Sequence, residues 1–274
     1  MKFYTSVEQA GDTILVRGYN EGRPYQDRVK FNPTLFLPSP EKSEWRTLDG
    51  KYVRPVKQGT IRDAKSFVLD HKDIPDFDIC GQTRYVNQYI YEQYPDESMS
   101  YDMGDIRVFT LDIETGAENG FPDIESADQE ILLISIKDSN TNNISVFGTK
   151  PYDHNTKDGI DGDVKYMHFS SETAMLNAFI HWWSTNYPDV ITGWNVQLFD
   201  MPYIIRRINR VIGEKESRLI SPWKNVYCRE IYIKGRRQIA YDISGIAVLD
   251  LSLIHISEPT RLRRMSYAVF CLKK

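Results

Sequence analysis

The stretch FTLDIETG, residues 109–116, sets two acids into an apolar run. Val108, Phe109, Leu111 and Ile113 surround Asp112 and Glu114. Residues of this kind, bounded by a glycine, predict a strand. Side chains at i and i+2 of a strand share a face, so Asp112 and Glu114 project together, about 7 Å apart at their backbones. Buried without partners, two such carboxylates take raised pKa values and destabilise a fold. A hard divalent cation removes that conflict, because oxygen ligands on Mg²⁺ or Mn²⁺ stay ionised. A lone D-x-E also fits a plainer arrangement, in which one acid faces water at the strand end beside a Lys or Arg.

A third acid narrows the choice. TGWNVQLFD places Asn195 and Asp200 where a short strand gives way to a helix. The strand carries the chain to the end of its sheet, and the helix start turns Asp200 back across that end. Three carboxylates from separate elements suit two ions about 3.5 to 4 Å apart, the arrangement used for in-line attack on phosphodiesters. Taken alone, Asp200 also fits helix capping.

The surrounding pattern predicts an α/β domain over 104–250. IRVFTLDIE, EILLISIKD and ISVFGT read as three strands that begin an antiparallel sheet. SSETAMLNAFIHWWSTNYP is a helix: Ser170 or Ser171 caps it, Glu172 favours its dipole, and Met175, Leu176, Phe179, Ile180 and Trp183 recur at helical spacing. DVITGWN is a strand. FDMPYIIRRINRVIG is a helix with Ile204, Ile205, Ile208, Val211 and Ile212 inward and Gly213 as its stop. VYCREIYIKGRRQIAYDI is a hairpin turning at Lys234-Gly235, and IAVLD is a last strand. The pairs Arg206-Arg207 and Arg236-Arg237 could contact phosphate, but such pairs are more often solvated faces and are assigned no role.

Residues 1–103 form a smaller α+β domain by the same reasoning. Three strands alternate with turns at Ala10-Gly11-Asp12 and Asn20-Glu21-Gly22. Pro33, Pro38 and Pro40 break regular structure beyond them. IRDAKSFVLDH is helical, and RYVNQYIYEQYP is extended or a short helix. The boundary falls in the polar stretch DESMSYDMGD. Nothing in this part proposes catalysis.

Composition sets limits on function. A formal net charge of −4 over 274 residues does not mark a nucleic-acid binder, so any such contact needs a local basic patch. Cys80, Cys228 and Cys271 are scattered singly, which fits a reducing compartment and neither a zinc site nor a disulfide framework. The N-terminus has no secretory pattern, and no apolar run reaches the roughly 18 residues of a membrane span. A soluble cytosolic protein is the expectation.

The last 24 residues stand apart, with five Lys or Arg against one Glu, where the preceding 250 carry 29 basic and 37 acidic residues. LSLIHISEPTR back-translates into the mosaic-end adapter of transposase-based sequencing libraries, and SYAVFCLKK resembles its continuation into the flow-cell primer. Residues 251–274 are therefore read as adapter read-through and set aside from the fold. A genuine basic C-terminal helix is the alternative. On the adapter reading, the natural protein is longer and this chain stops in mid-domain near Asp250.

FTLDIETG followed by NVQLFD resembles the first two motifs of the DEDD 3′→5′ exonucleases. FYTSVEQAGDTILVRGY, DIETG…GFP and TGWNVQLFDMPYIIRRINRVIGE are similar to the family B replicative DNA polymerases of T-even-type phages, with gaps, through most of residues 1–250. The resemblance implies a ribonuclease H-like mixed sheet with flanking helices, preceded by the polymerase N-terminal domain, which flanks the template strand and in some members binds RNA. It implies two Mg²⁺ or Mn²⁺ ions: Asp112 bridging both, Glu114 on the ion that carries the nucleophilic water, and Asp200 serving the second. Asn195 matches the motif residue beside the primer terminus. Phe121 matches an aromatic that wedges or stacks at the frayed end; ordinary loop packing is the plainer alternative for it.

The implied partners are the single-stranded primer end and the template strand, with a sliding clamp and replisome proteins for the full-length parent, in the cytoplasm of an infected host. The family's third motif is Tyr, three residues, then Asp. The spacing Tyr101 to Asp105 has that form but precedes Asp112, so it is not a candidate. With three of four ligands, this chain is expected to show little or no nuclease activity and no polymerase activity. A nucleic-acid-binding module without chemistry and a stand-alone DEDD exonuclease are the rival readings, and the N-terminal 100 residues argue against the second.

Overall fold

Glu21 and Gly22 both take positive φ, 51° and 73°, and Asn20 lies opposite Arg23. That is the backbone of a tight two-residue hairpin turn, whose twist matches the strands it joins. It links β2 (Thr13–Asn20) to β3 (Arg23–Lys30), and β1 (Lys2–Ala10) pairs with β2 on the other side. The computed structural model describes residues 2–75, 77–81, 84–94, 101–118, 120–152, 163–233 and 235–253. The chain divides into two units, Met1–Met103 and Gly104–Lys274. Much of the DESMSYDMGD stretch and most of the basic tail lie outside the described residues.

The first unit adds a second antiparallel sheet, ordered β4-β6-β5, from β4 (Thr34–Pro38), β5 (Trp45–Arg46) and β6 (Tyr52–Lys57). The three prolines do not abolish structure here. Pro33 precedes β4 and Pro38 ends it, and β4 is an edge strand, where a missing N–H leaves the ladder intact. Helix α1 (Ile61–His71) starts at a capping box, with Thr60 and Asp63 each accepting from the other's backbone. The Thr60 N–H and hydroxyl hold the Asp63 carboxyl below its usual range. The stretch from Arg84 resolves as a helix, α2 (Tyr85–Gln93). Ile14, Val16, Leu35, Ile61 and Ala64 form the centre of this unit's core.

The second unit is a six-stranded mixed sheet. Its strands are β7 (Val108–Thr115), β8 (Ile131–Asp138), β9 (Ile144–Gly148), β10 (Val164–His168), β11 (Val190–Gly193) and β14 (Ala247–Asp250), in the order β10-β9-β8-β7-β11-β14. β7, β8 and β9 run antiparallel in turn. β11 is parallel to β7, β14 is parallel to β11, and β10 is parallel to β9. The sequence predicts the antiparallel start and the alternation of helix and strand after it, but not β10. VKYMH has no fully buried residue, so its apolar signal is faint.

Helices α3 (Glu172–Thr185) and α4 (Asp200–Val211) bring Met175, Phe179, Trp183, Ile204 and Ile208 onto the core with Phe109, Leu111 and Ile113 of β7. Each large side chain buried this way contributes about 1.5 to 3 kcal/mol. Trp183 also donates its indole N–H to the Ile220 carbonyl at 2.8 Å, so its one polar group is satisfied in the core. A short helix, α5 (Glu214–Ser217), follows, and β12 (Val226–Ile233) and β13 (Arg236–Ile243) form a separate two-stranded hairpin. Ile233 opposes Arg236; of the expected turn residues, Lys234 lies outside the described residues. Among the described residues, no helix is long and apolar enough to cross a membrane.

Candidate active site

Alternation along β7 decides where its acids go. Phe109, Leu111 and Ile113 are buried at 5% exposure or less, while Asp112 and Glu114 lie on the opposite, exposed face. The expected burial penalty on this pair therefore does not arise. The strand buries its apolar face and leaves both carboxylates on the open face of the sheet, the side a polymer could approach.

The second segment reaches that face through a tight approach of backbones. Pairing of β11 with β7 stops at Thr192 opposite Thr110. A Cβ at Gly193 would stand 2.6 Å from the Leu111 carbonyl oxygen, inside any tolerable contact. Glycine here lets the end of β11 lie against β7 beside Asp112. The chain then turns. Asn195 takes φ of 60°, a left-handed conformation that Asn tolerates better than most residues. Its carbonyl accepts the N–H groups of Leu198 at 3.1 Å and Phe199 at 2.8 Å, and α4 begins at Asp200.

Asp200 is only 3% exposed. Its Oδ1 accepts the backbone N–H of Ile113 at 3.1 Å. The plain capping role is not what the geometry gives. The residue before α4 is Phe199, with no side-chain cap, and the Asp200 carboxylate reaches across to β7 instead. It bonds the residue between Asp112 and Glu114. Burial pushes its pKa up to about 7, opposed by the Ile113 N–H and reinforced by the negative charges of Asp112 and Asp250. Asp112 and Asp200 are thus electrostatic neighbours. Among the described residues, no group of three His, Cys, Asp or Glu side chains is close enough to hold a metal ion. What fits a cation is the donor set itself: hard oxygen ligands, one of them buried with Asp112 and Asp250 as its charged neighbours.

The aromatic residue of the loop after β7 joins the same place. Phe121 is 85% exposed, and its ring lies 5.6 Å from that of Phe199, one residue before Asp200. Phe199 stacks in turn on Tyr203 at 5.7 Å. A groove of about 510 Å³ runs beside Phe121, between Pro122, Ile124 and Glu125 on one side and Arg237 and Ile239 of β13 on the other.

Two features are not apparent from the sequence. The first is Arg207, which the sequence places on a solvated face. It is buried. Its guanidinium bonds both carboxylate oxygens of Glu172, at 2.8 and 2.7 Å, and the carbonyls of Ala127 and Asp128. Glu172 Oε1 also accepts the Ile131 N–H at 2.7 Å. Arg206 and Arg210 donate to the carbonyls of Glu125 and Ser126. Three arginines of α4 therefore fasten the loop that leads back from Phe121 to β8. A short-range signal for this exists only in the helical spacing of Arg206, Arg207 and Arg210. The second is Asp250, which ends β14 at 5% exposure and accepts the N–H groups of Asn195 and Gln197. Ser252 donates to it as well, through N–H and hydroxyl.

The site is thus a mixed sheet with exposed acids on an interior strand, joined by a buried acid from a helix start beside stacked aromatics. The chain belongs to DNA polymerase family B, in the part described as its exonuclease domain, whose profile matches residues 64–267. It is 31% identical over 271 residues to the DNA-directed DNA polymerase of Enterobacteria phage T4 and 30% identical over 273 residues to that of Escherichia phage RB69. Each match covers 91% of this chain and 30% of the phage protein. The DNA polymerase catalytic subunit of Human herpesvirus 8 is 33% identical over 108 residues, 39% of this chain and 11% of that protein. The chain thus spans about 30% of the length of the phage relatives it matches.

Proposed function

We propose that this chain is the N-terminal part of a phage replicative DNA-directed DNA polymerase and carries its proofreading 3′→5′ exonuclease domain. Residues 1–103 are the polymerase N-terminal domain, 104–250 the exonuclease domain without its last motif, and 251–274 adapter read-through. The six-stranded sheet is ribonuclease H-like. The observation that carries the reading is the hydrogen bond from Ile113 N–H to Asp200, which joins the second exonuclease motif to the middle of the first.

Asp112, Glu114 and Asp200 would hold two Mg²⁺ or Mn²⁺ ions. When bound, such a pair supplies a water-derived nucleophile and charge stabilisation at the leaving oxygen. The chain's own residues do the rest. The open face of β7 admits the single-stranded 3′ end to Asp112 and Glu114. Phe121, braced on Phe199, offers a stacking face to the terminal base, worth about 1 to 3 kcal/mol and indifferent to sequence, as editing requires. Asn195 stands beside the terminus. The buried Asp200, with its pKa near 7 in the absence of a cation, gains its charge when one binds. The template strand, a sliding clamp and replisome proteins are the partners of the full-length parent, in the cytoplasm of the infected host.

Calorimetry tests the metal site in the chain as it stands. Mn²⁺ uptake that is lost in Asp112→Ala, Glu114→Ala and Asp200→Ala is the expected result. A chain that binds single-stranded DNA but takes up no Mn²⁺ through these residues is a binding module without chemistry. With three of four ligands, trimming of single-stranded DNA in Mg²⁺ is expected to be slight. Brisk 3′ trimming abolished by Asp112→Ala would contradict that expectation.

A further inference from the structure

We propose that Asp250 is a positioning residue for this site: by holding the turn after β11, it delivers Asp200 to the Ile113 N–H. The proposal rests on the metal-site reading above for its consequence, and on geometry alone for its cause. β14 runs parallel to β11, with Asp250 in register with Gly193, the last residue of β11. The Thr192 hydroxyl ties the two strands one position earlier, donating to the Leu249 carbonyl at 2.8 Å. From there the Asp250 carboxylate reaches past the end of β11. Oδ1 accepts from Asn195 N at 3.1 Å, and Oδ2 accepts from Gln197 N at 2.9 Å.

Those two donors belong to a turn that has left the sheet and not yet entered α4, so neither a ladder nor a helix supplies their acceptors. The left-handed conformation of Asn195 is held by the same pair of bonds. Its carbonyl then receives Leu198 and Phe199, and the next residue is Asp200. The links therefore run by hydrogen bond from Asp250 to Asn195 and from Asn195 to Phe199, along the chain to Asp200, and by hydrogen bond on to Ile113, with Gln197 held at the side. A carboxylate is the fitting group, because it offers two acceptors and no donor. Asn at this position would turn an N–H₂ toward one of the two N–H groups.

The test uses the 274-residue chain, read by amide hydrogen exchange and Mn²⁺ calorimetry. In Asp250→Asn, exchange at Asn195, Gln197 and Ile113 is expected to accelerate roughly tenfold, as for loss of one hydrogen bond, while Ile134 and Phe147 in the sheet keep their protection. Mn²⁺ affinity is expected to fall about 10- to 100-fold, as for other groups that orient a ligand. Asp250→Glu, which keeps both acceptors on a longer arm, should give Ile113 protection between the two. Faster exchange at Asn195 and Gln197 with Ile113 unchanged would overturn the proposal, because Asp200 would then stay in place without the turn. If Asp250→Asn loses the sheet amides too, the Glu variant decides alone, and wild-type exchange at Ile113 overturns the proposal. If the wild-type chain takes up no Mn²⁺, the metal reading fails, and Ile113 exchange still decides the positioning role.

Discussion

Two buried acids in the second unit serve different ends. Glu172, at the start of α3, meets two N–H donors from Arg207 and one from Ile131, and its charge is answered by a guanidinium. Asp200, at the start of α4, meets the Ile113 N–H and has two other acids as its charged neighbours. The first arrangement completes itself within the chain. The second is left electrostatically unfinished, and the cost shows in a carboxyl pushed up to about 7. An acid that the fold satisfies holds structure together. An acid that burial and like charges strain is where the proposed cation would act.

Urea denaturation of the metal-free chain separates the two. Arg207→Met strands the Glu172 charge in the core and is expected to cost about 3 to 5 kcal/mol. Asp200→Asn should move the midpoint the other way at pH 8. The folded pKa of Asp200 lies above its ordinary 3.8, so its neutral form contributes stability that is complete below about pH 4 and is lost as pH rises through about 7. Asn has no charge to acquire and still accepts from Ile113. The expected gain is therefore up to about 4 kcal/mol at pH 8, closing toward pH 4. A loss of stability at pH 8 would break the comparison.

Metal sharpens it further. Mn²⁺ at a hundred times its Kd should stabilise the wild-type chain by about 2.7 kcal/mol and Asp200→Asn far less. Phe121→Ala gives the smallest change in stability, within about 0.5 kcal/mol, because the ring is exposed. Fluorescence titration should nonetheless show weaker binding of single-stranded 3′ ends.

Local signals carried much of the fold. The apolar face of β7, the caps and spacing of α3, and the long amphipathic α4 are all written in neighbouring residues. The meaning of the acids on β7 was not. The period of two puts Asp112 and Glu114 on one shared face, but which face of a strand meets the core is decided by packing elsewhere in the chain, here against α3 and α4. Arg207 was missed because its partner Glu172 lies 35 positions away. Asp250 was missed for a related reason, since its partners are backbone N–H groups more than 50 residues upstream. A backbone donor has no identity in sequence. The site residues Asp112, Glu114, Asp200, Asn195 and Phe121 came from a motif resemblance, and the geometry adds the links among them.

The close approach at Gly193 carries a consequence for how this region tolerates change. A hydrogen atom there acts as the spacer between two strands, and a methyl group would wedge β11 away from Leu111. Everything downstream of that hinge point, from the left-handed Asn to the first residue of α4, would ride outward with it. A random mutagenesis survey should therefore find one of its most sensitive positions at a residue with no functional group at all.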